Sequence, residues 1–228
     1  FTTTEHDTPR SLADYVKDLK ENQTAIYYLT GEDAKRMGAS PQLEGFRARG
    51  IEVLLLADPV DAFWVSTAVG FDGKPFKSVT QGAADLKSIA LKEGAKDTSA
   101  ETTAEVATLL AFMKQTLESA VTDVRASDRL AESPACLVAG EHGPDRRLER
   151  MLAQAGRGEV SKPVLEINPR HDLVATLAKR FKDDSNKSLI EDASWLLLDE
   201  ARLMDGEALT DAAAFAARLT RVLAKAAS

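Results

Sequence analysis

Cysteine is nearly absent from this sequence, and its scarcity limits the chemistry that the chain can support. The single residue Cys136 cannot form a disulfide within the chain, which suits a reducing compartment such as the cytoplasm. Because Cys136 lies in the apolar run 134–138, we interpret it as a small buried hydrophobic side chain. None of the three histidines (His6, His142 and His171) has a second histidine or a cysteine at metal-ligand spacing. The sequence therefore predicts no metal site.

Long apolar runs and an excess of positive charge are also lacking. No stretch approaches the ~18 uninterrupted apolar residues of a membrane span, and no signal peptide is recognisable. The 228 residues carry 29 Lys and Arg against 36 Asp and Glu, a formal net charge of −7. A protein that binds a phosphate backbone needs a clustered basic face, whereas the basic residues here are scattered. We therefore expect neither a membrane span nor nucleic-acid binding.

Glycine is scarce at the position where a nucleotide site would need it. A strand–helix–strand pattern over about thirty residues would place phosphate-binding glycines directly after its first strand. The segment at that position, 30–33, reads TGED, in which two acids follow a single glycine and would repel a phosphate. Adjacent acids at 183–184 and 191–192 are interpreted as solvated helix ends and faces. The sequence therefore predicts neither a nucleotide site nor a catalytic pair of acids.

The first half of the chain alternates short apolar runs with helical segments, which is typical of parallel sheets. Helices are expected after Ser11, after Ser40-Pro41 and after Asp58-Pro59, and the second of these should end at Gly50. Asp72-Gly73 predicts a tight turn. The predicted strands cover 25–29, 51–56 and 76–79, and Thr2 to Thr4 are interpreted as a tail.

A polar passage between 81 and 103 separates two halves that differ in their pattern of strands and helices. It predicts a domain boundary near residue 98. In the second half we expect strands over 121–125, 135–138 and 164–167. The expected helices cover 104–117, 145–155, 172–182, 189–204 and 211–226. The predicted fold is a small α/β domain of αβα type with parallel strands over 1–98. An α+β domain that ends in helices follows over 99–228.

Two adjacent aromatic residues, Phe63 and Trp64, lie in the helix that Asp58-Pro59 begins. Neighbouring residues of a helix point about 100° apart, so the two rings cannot both be central to a narrow core-facing stripe. Either both rings lie in the core or at its edge, or one of them is exposed for a partner. The sequence leaves both interpretations open.

The helix expected over 145–155 has an apolar stripe of Leu148, Met151 and Leu152 opposite a face of arginines. Such a stripe can pack on its own domain. It can also be half exposed and offer flexible side chains, Met above all, to a variable partner.

The last two helices carry wide apolar stripes with steps of three and four residues, as in coiled coils. The first stripe comprises Ile190, Ala193, Leu197 and Ala201, and the second comprises Phe215, Leu219 and Val222 with Leu223 beside them. Two helices alone cannot bury stripes this wide. Either the rest of the domain covers them, or a second copy of the chain completes a four-helix bundle.

Five segments, in this order, resemble a known family. They are 26–32 (IYYLTGE), 50–61 (GIEVLLLADPVD), 71–76 (FDGKPF), 133–135 (SPA) and 167–171 (INPRH). The chain as a whole resembles the 90-kDa heat-shock protein chaperones, of the bacterial high-temperature protein G type. Residues 1–98 resemble the small αβα end of the middle domain, and residues 99–228 resemble the C-terminal dimerisation domain.

The resemblance implies a fragment that forms homodimers through its last two helices and contacts partly folded client proteins. The ATP-binding N-terminal domain, with its ATP and Mg²⁺, would lie outside this chain, so the fragment is not expected to hydrolyse ATP. The residues implied in client binding are Phe63, Trp64, Leu148, Met151 and Leu152. The residues implied in dimerisation are those of the two terminal stripes.

Two alternatives belong to other functional classes. In the first, the chain is a purely structural homodimerisation module whose aromatic residues are buried. In the second, it is a small α/β enzyme, which would need a concave site with perturbed titratable groups.

Overall fold

A computed structural model describes residues 1–6, 8–81, 86–96, 102–140 and 145–227 of the chain. The chain divides into two compact units. Unit 1 comprises Phe1–Asp97 with Val138–Ser161, and unit 2 comprises Thr98–Leu137 with Lys162–Ser228. The domain boundary expected near residue 98 falls outside the described residues and stays a prediction.

The predicted elements occur in the predicted order, and β1 (Thr2–Thr3) and α2 (Ala34–Gly38) are present in addition. The strands are β1 Thr2–Thr3, β2 Ile26–Thr30, β3 Leu54–Leu56, β4 Phe76–Ser78, β5 Asp123–Ala126, β6 Ala135–Val138 and β7 Val164–Ile167. The α-helices are α1 Leu12–Lys17, α2 Ala34–Gly38, α3 Glu44–Arg47, α4 Pro59–Thr67, α5 Ala104–Thr116, α6 Arg146–Gln154, α7 Asp172–Arg180, α8 Lys187–Met204 and α9 Ala212–Ala227. This confirms the α/β fold followed by helices. The helix expected after Ser40-Pro41 is shorter than predicted, because a 3-10 turn over Pro41–Leu43 precedes α3.

The sheet of unit 1 has the strand order β1-β3-β2-β4. As predicted, β2 is parallel to both β3 and β4. The interpretation of Thr2 to Thr4 as a tail is wrong, since Thr2 and Thr3 pair antiparallel with Leu55 and Leu54. The reason is that the buried strand β3 would otherwise present unpaired N–H and C=O groups at an edge, and β1 supplies their partners.

Side chains of β2 alternate between two apolar layers, one on each face of this sheet. Tyr27 and Leu29 join Phe46 of α3 in one buried cluster. Ile26 and Tyr28 join side chains of α1 and α4, among them Tyr15 and Val65, in the other. Unit 1 is therefore an αβα sandwich, in which β2 and β3 fix where α4 begins.

Local sequence signals set the ends of these elements. Asp58 caps α4 in a capping box with Asp61, and a proline follows the cap at the first helical position. Gly50 has a φ of +63°, which lets the chain turn after the helical residues before it. Asp72 and Gly73 have φ values of +49° and +70° in the tight turn that Phe71 and Lys74 close by two backbone hydrogen bonds.

Unit 2 is built around a sheet with the strand order β5-β7-β6, in which β5 and β7 are parallel. Apolar side chains of α5, α7 and α8 cover this sheet in a single cluster. Cys136 of β6 is buried, as predicted. In the described parts of the chain, no helix has both the length and the apolar character that crossing a membrane requires.

Candidate functional site

The two aromatic residues of α4 have different environments. Trp64 is half-buried, stacked on Phe1 with ring centroids 5.7 Å apart and edge-on to Phe76 at 5.2 Å. The neighbouring Phe63 points away from this group, and 45% of its surface is exposed. The exposed ring is therefore Phe63, while Trp64 lies at the edge of the core, as the 100° step along a helix requires.

The exposed side of α4 carries a short apolar strip. Val60 lies one turn before Phe63 and is also exposed. The Ser66 and Thr67 hydroxyls next to this strip donate to backbone carbonyls of the same helix, that of Phe63 among them. These hydroxyls are thus occupied locally, and the strip presents mainly hydrocarbon to the solvent.

The amphipathic helix α6 lies in unit 1 and packs against α4. Leu148 is buried, with 9% of its surface exposed, whereas Met151 and Leu152 are half-buried. The structure therefore brings together two helices that are far apart in the sequence and that carry all five predicted client-binding residues. It does not leave the whole apolar stripe of α6 open, because Leu148 is buried.

One residue that the sequence did not single out, Asp145, attaches α6 to unit 1. Its side chain caps the helix by accepting hydrogen bonds from the backbone N–H groups of Arg147 and Leu148. It also accepts hydrogen bonds from the hydroxyls of Thr30, Ser78 and Thr80, although only 5% of its surface is exposed. An aspartate before a helix predicts the cap, but no local signal predicts these hydroxyl partners.

The buried surroundings of Asp145 affect a nearby tyrosine. Burial raises the pKa of the Tyr28 phenol above its usual value, and the negative charge of Asp145 raises it further. Tyr28 therefore keeps its proton at pH values where an exposed tyrosine would lose it.

Helix α8 uses most of its predicted stripe inside unit 2. Ile190, Leu197 and Ala201 are buried in the core of that unit, and Ala193 is half-buried against the same cluster. The structure places these four side chains against α5, α7 and the sheet. Whether any of them also reaches a second copy stays a prediction.

Helix α9 is covered much less, since none of its described residues is buried. It packs on α8, and Phe215 and Val222 are half-buried on the side nearest that helix. Leu219 and Leu223 lie one turn apart and are 38% and 59% exposed. Of the predicted interface residues, these two leucines are the most exposed.

Polar contacts fix α9 on α8. The Arg221 guanidinium donates two hydrogen bonds to the carboxylate of Asp192, at 2.7 and 2.5 Å, and Arg218 lies over the Trp195 ring at 4.7 Å. The interpretation of the acids at 191–192 as solvated is therefore wrong for Asp192, which is buried. Its arginine partner is 29 residues away on another helix, so the charge pattern of α8 alone could not show the pair.

The two described histidines have separate local roles. His6 lies 2.7 Å from a guanidinium nitrogen of Arg10, and His171 caps α7 by accepting a hydrogen bond from the N–H of Leu173. His142 lies outside the described residues. Within the described ranges, no group of three or more His, Cys, Asp or Glu is placed to hold a metal ion.

Comparison with known proteins assigns the chain to a family. The whole chain, residues 1–228, matches the family model described as Hsp90 protein, and the chain therefore belongs to the Hsp90 protein family. This confirms the family resemblance seen in the sequence.

Individual relatives agree with this assignment. The chain is 59% identical to the chaperone protein HtpG of Rhizobium meliloti (strain 1021) over 226 residues, which are 99% of this chain and 36% of that protein. It is 59% identical to the chaperone protein HtpG of Azorhizobium caulinodans over 216 residues, 94% of this chain and 34% of that protein. A third HtpG, from Nitrobacter winogradskyi, is 57% identical over 215 residues. The chain thus spans about a third of the length of the curated relatives it matches.

Proposed function

We propose that this chain is the dimer-forming and client-contacting part of an ATP-dependent cytoplasmic chaperone that assists protein folding under stress. In this proposal, residues 1–98 are the small αβα end of the middle domain and residues 99–228 are the C-terminal dimerisation domain. ATP and Mg²⁺ bind in an N-terminal domain outside this chain. The chain itself supplies no catalytic residue and is not an enzyme on its own.

The observation that carries the proposal is the exposure of Phe63 on a helix that packs against α6, in a chain of the Hsp90 family. A large aromatic side chain that stays exposed in a folded domain is suited to a partner surface, because aromatic residues supply much of the binding energy at interfaces. Phe63 and Val60 contact the client directly. Trp64 supports Phe63 from the core edge, packed between Phe1 and Phe76.

Helix α6 contributes the second part of the client surface. Met151 and Leu152 are half-buried and offer flexible apolar side chains that can adapt to many sequences. Leu148 anchors the helix against unit 1. A surface of this kind binds partly folded proteins weakly and reversibly, because it relies on apolar contact rather than on a fixed pattern of hydrogen bonds.

Dimerisation makes weak binding effective. Leu219 and Leu223, with Phe215 and Val222 beside them, form the part of α9 that meets a second copy. The α8 residues Ile190, Ala193, Leu197 and Ala201 support α9 from beneath and complete the bundle. Two linked client surfaces hold one unfolded chain at high effective concentration, so the pair binds more tightly than either surface alone.

Replacing Phe63 by serine is expected to weaken binding of a permanently unfolded model protein by about tenfold, since loss of a central aromatic contact costs more than 1 kcal/mol at many interfaces. The fold should survive, because Phe63 is exposed and α4 keeps its cap. Fluorescence anisotropy of the labelled model protein measures the affinity, and circular dichroism checks the fold.

Leu173→Ser is the matched control for this experiment. Leu173 is exposed to a similar extent, at 43%, but lies on α7 in unit 2. Its replacement should leave the affinity unchanged. If Phe63→Ser also leaves the affinity unchanged while the chain still dimerises, the client-contacting role fails and a purely structural dimerisation module explains the chain better.

A further inference from the structure

Asp145 makes more hydrogen bonds than a helix cap requires. Its Oδ1 atom accepts from the Thr30 hydroxyl at 2.9 Å and from the N–H groups of Arg147 and Leu148 at 3.0 and 3.1 Å. Its Oδ2 atom accepts from the hydroxyls of Ser78 and Thr80 at 2.7 and 3.2 Å. Two backbone donors satisfy a cap, so the three hydroxyls have a different role: they connect α6 to the sheet of unit 1.

The three hydroxyls come from one edge of that sheet. Thr30 and Ser78 are the last residues of β2 and β4, which are parallel, and Thr80 follows two residues later. Carboxyl ends of parallel strands meet at the same edge, where these side chains form a cradle for a single carboxylate. Because the carboxylate is charged and buried, its hydrogen bonds are stronger than those between neutral groups, and its loss would leave the cradle unsatisfied.

Two other polar contacts of α6 within unit 1 lie at exposed positions, and one of them is the hydrogen bond from the Ser161 hydroxyl to Glu149. Arg147 lies 3.7 Å from Glu32, whose side chain is 87% exposed, and exposed ion pairs contribute little. The segment before the helix is held by a backbone hydrogen bond from Ala139 to Thr80 at 2.7 Å. Asp145 is therefore a buried polar anchor that joins the start of α6 to the sheet.

We propose that Asp145 with Thr30, Ser78 and Thr80 forms a clasp that controls how much of α6 a client can reach. When the clasp is closed, Leu148 is covered against unit 1. When it opens, α6 moves off the sheet edge, and Leu148 joins Met151 and Leu152 in one continuous apolar stripe. This inference rests on the proposed function, because α6 has a client to meet only there. A small opened population suffices, since a client that binds only the open form shifts the equilibrium toward it.

The test uses variants that weaken the clasp from the sheet side and leave the helix cap intact. Thr30→Val and Ser78→Ala each remove one hydroxyl donor to Asp145, while the bonds from Arg147 and Leu148 remain. In hydrogen–deuterium exchange of the full chain, each variant should speed exchange of the α6 amides by about tenfold, because a hydrogen bond to a buried charge is lost. Asp145→Ala, which also removes the cap, should speed it further.

Ser194→Ala is the matched control, since Ser194 is a buried serine of unit 2 whose hydroxyl donates to the carbonyl of Ile190. It should not change exchange in α6. The amides of β2 are read in the same spectra. If they exchange faster to the same degree as those of α6, the variants loosen unit 1 as a whole and the clasp is overturned. Unchanged exchange in α6 overturns it as well.

A second measurement separates the clasp from the proposed function. Thr30→Val and Ser78→Ala should bind the permanently unfolded model protein about tenfold more tightly if the opened stripe of α6 contacts clients. Faster exchange together with tighter binding supports both. Faster exchange with unchanged binding supports the clasp as a device that opens α6 and overturns the client role given to that helix.

Discussion

Placing charge on the exposed side of α9 is expected to convert the chain from a dimer to a monomer. The variant is Leu219→Glu combined with Leu223→Glu, two positions that are one turn apart and 38% and 59% exposed. In a symmetric dimer the change removes four leucines from the interface and brings four carboxylates together. Burial of a leucine contributes about 1.5–3 kcal/mol, so we expect the dissociation constant to rise at least a thousandfold. Helix α9 should persist, since glutamate is a good helix former and no described residue of α9 is buried.

Light scattering over a dilution series measures this change. The unmodified chain should have a mass near twice 24.6 kDa, and the variant should stay at 24.6 kDa. The control is Ala213→Glu with Ala217→Glu, which adds the same charge at the same spacing on an exposed side of α9 about 120° around the helix from the two leucines. It should remain a dimer. If the unmodified chain is a monomer at high concentration, the dimer proposal is wrong. If the Leu219/Leu223 variant is still a dimer, the interface does not include this side of α9.

The features that the sequence predicted well are those that nearby residues determine. The cap at Asp58 and the turn at Asp72-Gly73 each depend on backbone conformations and hydrogen bonds within a few residues. The buried strands β6 and β7 were also predicted at their observed ends, because each is a short apolar run bounded by turn-forming residues.

The features that the sequence missed depend on distant partners. Strand β1 has only two residues, too few for any periodic pattern, and forms because β3 has an open edge. Asp192 looks solvated in its own helix, yet Arg221 of α9 covers it. The hydroxyl of Thr30 meets Asp145 across 115 residues of sequence. Local patterns contain no information on such pairs.

The candidate site combines features that nearby residues determine with features that depend on distant partners. Helical geometry alone showed that Phe63 and Trp64 could not both be central to a narrow core-facing stripe, but only the positions of Phe1 and Phe76 decide which ring is covered. The stripe of α8 was recognised correctly as apolar. The sequence could not decide between coverage by unit 2 and coverage by a second copy, because that depends on how α5 and α7 pack with α8 on the sheet.

Removing the charge of Glu166 is expected to destabilise unit 2 by about 3–5 kcal/mol, as when one partner of a buried ion pair is lost. Glu166 lies in β7, the middle strand of that sheet, and is 2% exposed. Arg125 donates to it at 2.8 and 3.2 Å, and the Ser127 hydroxyl donates at 2.9 Å. Arg129 is 1% exposed, and its Nε atom lies 2.9 Å from Oε2 of Glu166. The two groups form an ion pair, but this nitrogen and oxygen are not aligned for a hydrogen bond. In Glu166→Gln the Arg129 charge therefore loses its buried counter-charge.

Urea unfolding followed by tryptophan fluorescence isolates this effect. Each unit has one of the two tryptophans, so a Trp64→Phe background makes Trp195 a reporter of unit 2 alone. Glu105→Gln is the control: it removes an exposed carboxylate of the same unit, paired with Lys182 at 2.6 Å, and should change the unfolding midpoint little.

A second variant identifies the physical cause of the loss. If the cost arises from burying the Arg129 charge without the Glu166 carboxylate, then Arg129→Met combined with Glu166→Gln should be more stable than Glu166→Gln alone, because both charges of that pair are then absent. If the double variant is less stable than the single one, the Arg129 side chain stabilises unit 2 through packing and its other contacts. An effect of Glu166→Gln as small as that of Glu105→Gln would show that the cluster contributes little to the stability of this sheet.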